Sequence, residues 1–248
     1  MSTVGLPASA LRCCGNRKVD FVLGEGLPCF KIRAMQEGIP TQSIPDRLEV
    51  IANLVRDREV LDLGVVDART TRGSAEKRFE RDGKILFFRL AEINPDIVGL
   101  DLDAEGVEVL KQRGYNAVCG DVHVVDLGRQ FDTIIAGEII EHLDNPGQFL
   151  CNMHRHLKPG GRLVVSTPNP FYAKQRGKIW RRRLPQVHEE HTCWFDPITL
   201  NHLLNRSGFR TLESYWINPP GQFFKTWPSR LRGYFSHSFM QVATQRED

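Results

Sequence analysis

From position 59 onward the chain alternates short apolar runs with stretches of helical spacing. Glu59-Val60-Leu61-Asp62-Leu63-Gly64 reads as a short buried strand closed by glycine, and a charged stretch over 70–90 follows with helical character. Asp96-Ile97-Val98-Gly99-Leu100-Asp101 reads as a second strand ending in a carboxylate, with a helix over 104–113 stopped by Gly114. Asn116-Ala117-Val118-Cys119 is a third, followed by Gly120-Asp121, and Phe131-Asp132-Thr133-Ile134-Ile135-Ala136 a fourth. The spacing then predicts a helix over 138–143 and another over 146–157, stopped by Lys158-Pro159-Gly160-Gly161, and a fifth strand over 162–166. Apolar strands alternating with helices predict a parallel sheet wound on both faces, with right-handed crossovers. The tail adds a helix over 197–207 and strands over 209–217 and 237–245, which the pattern pairs as an antiparallel hairpin.

Residues 1–45 are broken by glycine and proline and read as an irregular extension, with short strands or turns near 19–23 and 29–32. From Pro45, Asp46, Leu48, Ile51, Ala52 and Val55 recur at helical spacing, so a single domain is expected over 46–248. That domain would carry an insertion at about 70–94 and a long loop over 166–196. The 248 residues, 41% hydrophobic and 25% charged, suit one soluble α/β domain with additions. No apolar run approaches the roughly 18–20 residues that span a bilayer, and the start lacks a secretory pattern. A cytoplasmic protein is expected. A net charge of +3 is too small to indicate nucleic acid by itself. None of the six cysteines forms a C-x-x-C pair. They read as reduced thiols, and Cys13, Cys14 and Cys29 fit no common zinc pattern.

In an open α/β sheet, ligands bind at the carboxyl ends of the strands. Asp62 and Gly64 close the first strand, Asp101 the second, Asp121 and Val122 follow the third, and Gly137 and Glu138 follow the fourth. Gly64 lets backbone approach a ligand closely. Asp101 can accept hydrogen bonds from both ribose hydroxyls of a nucleoside, and Asp121, one strand over, can meet an adenine amino group.

Val60-Leu61-Asp62-Leu63-Gly64, Val98-Gly99-Leu100-Asp101, Gly120-Asp121, the run from Phe131 to Glu138, and Leu157-Lys158-Pro159-Gly160-Gly161-Arg162-Leu163 follow one another in an order that resembles class I S-adenosylmethionine-dependent methyltransferases. Each motif is weak alone, and their order over about 59–210 is specific. The resemblance implies a Rossmann-like, doubly wound, seven-stranded sheet, mostly parallel with an antiparallel last strand. It also implies S-adenosylmethionine held by Asp62, Gly64, Asp101, Asp121, Val122 and Gly137. Two departures stand out. The loop after the first strand has Val66 and Ala68 where the family usually has glycines, and Asp101 lies 37 positions after Gly64, against about 20 in the dinucleotide fingerprint. A nicotinamide dehydrogenase would want G-x-G-x-x-G to seat a pyrophosphate, and the chain lacks it.

Glu138-Ile139-Ile140-Glu141-His142 would put Glu138, Glu141 and His142 on one face of a helix. Two carboxylates and an imidazole can bind Mg²⁺ or Mn²⁺. His188-Glu189-Glu190-His191 lies in the loop on the same rim. The pattern resembles ubiquinone-biosynthesis O-methyltransferases and small-RNA 3′-terminal 2′-O-methyltransferases, which implies a metal held by Glu138, Glu141, His142 and His191. Glu-x-x-Glu-His also occurs in metal-free members of the class. There His142 would act as a general base, with Glu138 and His191 beside it, or simply pack.

Six cations fall within ten residues, Lys174 to Arg183, with Trp180 among them. The segment reads as a solvated loop or as an anion-facing lid over the acceptor pocket, where Trp180, Trp194 and Phe195 could stack on a sugar or base. The stretch from His188 to Phe209 resembles methyltransferases of glycan assembly and natural-product pathways. O-methylation of a sugar or small hydroxylated metabolite is therefore expected. The alternatives are a metal-dependent RNA 2′-O-methyltransferase and a methyltransferase-like subunit without turnover. The aromatic, basic tail over 219–234 suits a membrane surface less well than packing on its own domain or on a second subunit.

Overall fold

The computed structural model describes residues 38–66, 79, 85–185, 187–217, 233 and 235–247. Eight strands form one sheet: β1 (Gln42–Ile44), β2 (Val60–Leu63), β3 (Val98–Asp101), β4 (Asn116–Cys119), β5 (Phe131–Gly137), β6 (Leu157–Pro168), β7 (Phe209–Ile217) and β8 (Ser238–Gln245). Their spatial order is β1-β7-β8-β6-β5-β2-β3-β4. All neighbours are parallel except β8, which runs against both β6 and β7. The expected mostly parallel sheet with its antiparallel last strand is present. It has eight strands rather than seven, because Gln42–Ile44 pairs with Tyr215–Ile217 at the edge, inside the stretch read as an irregular extension. The short strands or turns expected near 19–23 and 29–32, and the tail over 219–232, lie outside the described residues.

Period-two alternation sends side chains to two separate cores. On β5 and β6, Ile135 and Val164 face one layer, while Ile134, Ala136, Leu163 and Val165 face the other. The first layer is covered by α1 (Leu48–Val55), α2 (Leu86–Ala91) and α3 (Ala104–Gln112), through Ile51, Val55, Phe87, Leu90, Val107 and Leu110. The second is covered by α4 (Pro146–His156) and α6 (Pro197–Arg206), through Phe149, Leu150, Met153, Leu200 and Leu204. A further helix, α5 (Ala173–Arg182), buries none of its residues.

Local signals set the helix starts. Asp103 caps α3 by accepting from the Glu105 and Gly106 amides, and Asn145 caps α4 ahead of Pro146. Asp196 and Thr199 form a reciprocal capping box on α6. Two predicted boundaries are corrected. The fifth parallel strand begins at Leu157 rather than at 162, because Lys158–Gly161 bulges between pairing Leu157 with Phe131 and Arg162 with Thr133. The helix predicted over 138–143 is a single 3₁₀ turn, Ile140–His142. Among the described residues no helix is long and apolar enough to cross a membrane.

Candidate active site

Two groups of side chains meet at the carboxyl edge of the sheet. The first surrounds β2 and β3. Asp62 is buried within β2, and burial pushes its carboxyl up to about 7 against the opposing pull of Arg47. Gly64 closes the strand with φ +70, a left-handed conformation that glycine adopts without strain, and its N–H donates to Leu100 O at 2.8 Å. Asp101 ends β3, and burial raises its pKa. Its Oδ2 accepts from Val66 N at 2.8 Å and its Oδ1 from Asp103 N at 2.9 Å. Asp121, beyond β4, is exposed and held low by the His123 amide and ring, with Nδ1 2.7 Å from its Oδ1; Val122 beside it is buried.

Of the two positions where the family usually has glycines, Ala68 lies outside the described residues, and Val66, with its neighbour Val65, is turned away from this edge. Val65 and Val66 are buried in the sheet's first layer. Their space comes from glycines elsewhere. A Cβ on Gly99 would lie 2.9 Å from Val65 Cγ2, and one on Gly106 would lie 2.5 Å from Val66 Cγ1.

The second group lies beyond β5 and β6. Glu141, in the 3₁₀ turn, is buried. Its Oε2 accepts from Thr167 Oγ1 at 3.0 Å, while Oε1 is buried without a hydrogen-bond partner. Desolvation pushes the carboxyl up to about 7. The His142 ring stands at 89° to that of His191, with centroids 4.6 Å apart, and His188 lies 5.6 Å from His191. Burial lowers the pKa of both His142 and His191, and neighbouring imidazoles add to the effect. One ligand atom each from Glu141, His142 and His191 lie within 4.8 Å of one another. The His191 loop is fastened to the turn. Thr192 N donates to Glu141 O at 2.9 Å, Cys193 N donates to the same carbonyl at 3.3 Å, and the Thr192 hydroxyl donates to Leu143 O at 2.9 Å.

The structure thus brings together three of the four residues singled out as metal ligands. Glu138 is not among the three, because the segment is not an α-helix. Glu138 takes φ +54, donates its N–H to Ser166 O, and places Oε1 3.6 Å from Arg47 Nη1. Its charge adds to the rise that burial causes at Glu141 and partly opposes the lowering that burial causes at His142 and His191.

Sequence reasoning missed Arg47 and Thr167. Arg47 sits just ahead of α1, donates to Ser166 Oγ at 3.1 Å, and approaches the space over Gly137, where a Cβ would be 3.4 Å from its Nη1. It is the cation shared by Asp62, Glu138 and Glu141. In the sequence it was one charge beside a helical apolar pattern. Thr167 read only as the end of a strand. A recess of about 780 Å³ opens at the opposite, amino edge of the sheet, beside the Lys158–Glu59 and Lys158–Asp132 ion pairs. Open α/β sheets bind ligands at the other edge.

A sequence profile of a methyltransferase-domain family matches residues 41–214. The chain is 28% identical over 143 residues to the ubiquinone biosynthesis O-methyltransferase of Cereibacter sphaeroides, covering 53% of this chain and 58% of that protein. It is 31% identical over 184 residues to the mitochondrial ubiquinone biosynthesis O-methyltransferase of Mus musculus, covering 67% of this chain and 50% of that one. The chain therefore spans roughly half of these curated relatives. A solved S-adenosylmethionine-dependent methyltransferase of Archaeoglobus fulgidus shares the fold, with TM-score 0.56 at 16% identity over 80% of this chain and 91% of that one. The strand order, the carboxylates at the ends of β2 and β3, and a profile match over most of the chain agree, and the chain belongs to the class I S-adenosylmethionine-dependent methyltransferase family.

Proposed function

We propose that the protein methylates a hydroxyl oxygen of a sugar or small hydroxylated metabolite, at a centre formed by Glu141, His142 and His191. The observation that carries this reading is the buried, unpartnered Oε1 of Glu141 beside two imidazoles at the carboxyl edge. Buried polar atoms are normally satisfied, so this one points to a missing partner. The names of the ubiquinone-biosynthesis relatives support oxygen as the accepting atom.

A divalent cation such as Mn²⁺ or Mg²⁺ fits this donor set. One carboxylate and two imidazoles held neutral by burial offer three ligands. Bound there, the cation would lower the pKa of an acceptor hydroxyl and fix its oxygen. The protein's own residues set the geometry. Thr167 orients Glu141, and the Thr192 and Cys193 amides hold the His191 loop against the turn. Without a cation, the neutral His142 ring would take the hydroxyl proton as a general base. A methyl-transfer screen over glycans, phenols and RNA 3′ ends separates these readings. Transfer to a small hydroxylated acceptor, abolished by chelation and restored by Mn²⁺, is expected. Chelation without effect would favour the imidazole alone. Transfer confined to RNA, with steep salt dependence, would replace the acceptor class. Cofactor binding without transfer to any class would sink the reading.

The other half of the edge holds S-adenosylmethionine, which supplies an electrophilic methyl group on a sulfonium. In this reading Asp101 holds the ribose hydroxyls, Gly64 and Gly137 give backbone access, Asp121 with Val122 flanks the adenine, and Arg47 meets the carboxylate. Asp62, with a pKa of about 7, then gives a pH signature. A cationic ligand favours its ionised form, so binding below pH 7 releases a proton and affinity rises with pH until about 7. Calorimetry in buffers of different ionisation enthalpy should detect that release at pH 6. It should be smaller for S-adenosylhomocysteine, which lacks the sulfonium charge, and reduced in Asp62→Asn. Equal proton release by wild type and Asp62→Asn would contradict the assignment.

A further inference from the structure

The methyl-transfer centre leaves one conspicuous element unused. Helix α5 joins the end of β6 to the loop carrying His188 and His191, so both its ends are tied to the acceptor rim. Ten helical residues would normally bury an apolar stripe, and α5 buries none. Between Phe171 and Val187 there are six cations and no carboxylate. Lys174, Lys178, Arg181, Arg182 and Arg183 have no ion-pair partner among the described residues. The same segment exposes large apolar side chains: Trp180 is 87% exposed, Leu184 70% and Phe171 55%, with Val187 exposed as well.

Exposed tryptophan and aliphatic side chains are costly in water, and set among these cations they suit one environment. At the headgroup level of an anionic bilayer, Lys and Arg meet lipid phosphates while their stems and the apolar side chains enter the acyl boundary. Trp180 lies one turn from Arg176 on the helix, so the two share a face. Single-stranded nucleic acid would use the cations and could stack on Trp180 and Phe171. It has no use for Leu184 and Val187, since aliphatic side chains do not stack. We propose that α5 docks the acceptor rim of the protein on an anionic membrane surface, presenting the Glu141–His142–His191 centre to acceptors that partition there.

Flotation of the whole protein with vesicles tests this. It should associate with phosphatidylcholine–phosphatidylglycerol vesicles and not with phosphatidylcholine alone, and added salt should release it. Each surface cation contributes about fivefold near an anionic leaflet, so the triple change Arg181→Gln, Arg182→Gln, Arg183→Gln should weaken binding about a hundredfold. Because α5 packs little against the domain, that variant should keep its circular dichroism and its affinity for S-adenosylhomocysteine. Trp180→Phe should remove most of the vesicle-induced blue shift of tryptophan emission. The inference is overturned if the protein ignores anionic vesicles, if it binds neutral and anionic vesicles equally, if the triple variant binds as wild type does, or if it prefers single-stranded RNA. None of these readouts uses methyl transfer, so their failure leaves the proposed reaction standing.

Discussion

Glu141→Gln is expected to lower turnover by about 10²–10⁴-fold, the range spanned by loss of a positioned proton-transfer or ligand group, while leaving the fold as stable as before or more so. The two effects share one cause. Burial raises the Glu141 carboxyl to about 7, well above its ordinary 4.5. A carboxylate whose folded pKa exceeds its unfolded one takes stability away as pH rises between those values, and the loss is complete above about 7. The amide is neutral throughout and can still accept from Thr167 Oγ1. At pH 8 it removes a desolvated charge without leaving a cavity. Cofactor affinity should stay within a small factor, because the Asp101 and Gly64 edge is untouched. Thermal denaturation at pH 5 and pH 8, alongside turnover, checks the result. A variant that loses stability at pH 8 while keeping full turnover would make Glu141 structural.

Gly106→Ala should be destabilising, although it replaces glycine with alanine inside a helix. Helix propensity alone gives alanine an advantage of about 1 kcal/mol. Here the added Cβ would stand 2.5 Å from Val66 Cγ1 and 2.7 Å from Cγ2. A β-branched side chain has no spare rotamer to retreat into. The overlap is therefore relieved by moving the loop backbone, at a cost of about 1–3 kcal/mol. That movement pulls Val66 N–H away from Asp101 Oδ2, so affinity for S-adenosylhomocysteine should fall as well. The double variant Val66→Ala, Gly106→Ala should recover both, a coupling that a double-mutant cycle measures. A single Gly106→Ala that raises stability would show that the loop has room and that Gly106 does not compensate for Val66.

Most of the sheet was legible in the sequence because parallel strands covered on both sides read as apolar runs, and each ends in a glycine or carboxylate at the ligand edge. That placed β2 to β5 and located Asp62, Gly64, Asp101 and Asp121 in one region. β1 escaped because three residues are too few to show alternation, and pairing with β7 alone makes them a strand. The run Glu138 to His142 has helical spacing, which predicts a helix. The left-handed Glu138 and the new helix cap at Asn145 confine it to one 3₁₀ turn. The spacing still brought Glu141 and His142 to the centre and left Glu138 paired with Arg47. Arg47 and Thr167 carry no motif; their roles appear only when α1 and β6 meet at the same edge. The departure at Val66 could not be weighed from the loop alone, because Gly106, which makes room for it, lies on another element.

We propose that Glu141, His142 and His191 form the reacting centre by holding a cation. Titration of the protein with Mn²⁺, followed by the loss of the free-ion paramagnetic resonance signal, tests it without knowledge of the acceptor. One Mn²⁺ should bind per chain in the wild type. Binding should be lost in Glu141→Gln, with the S-adenosylhomocysteine affinity of that variant unchanged. A wild-type protein that binds no Mn²⁺, or a Glu141→Gln variant that binds it equally well, would contradict the assignment.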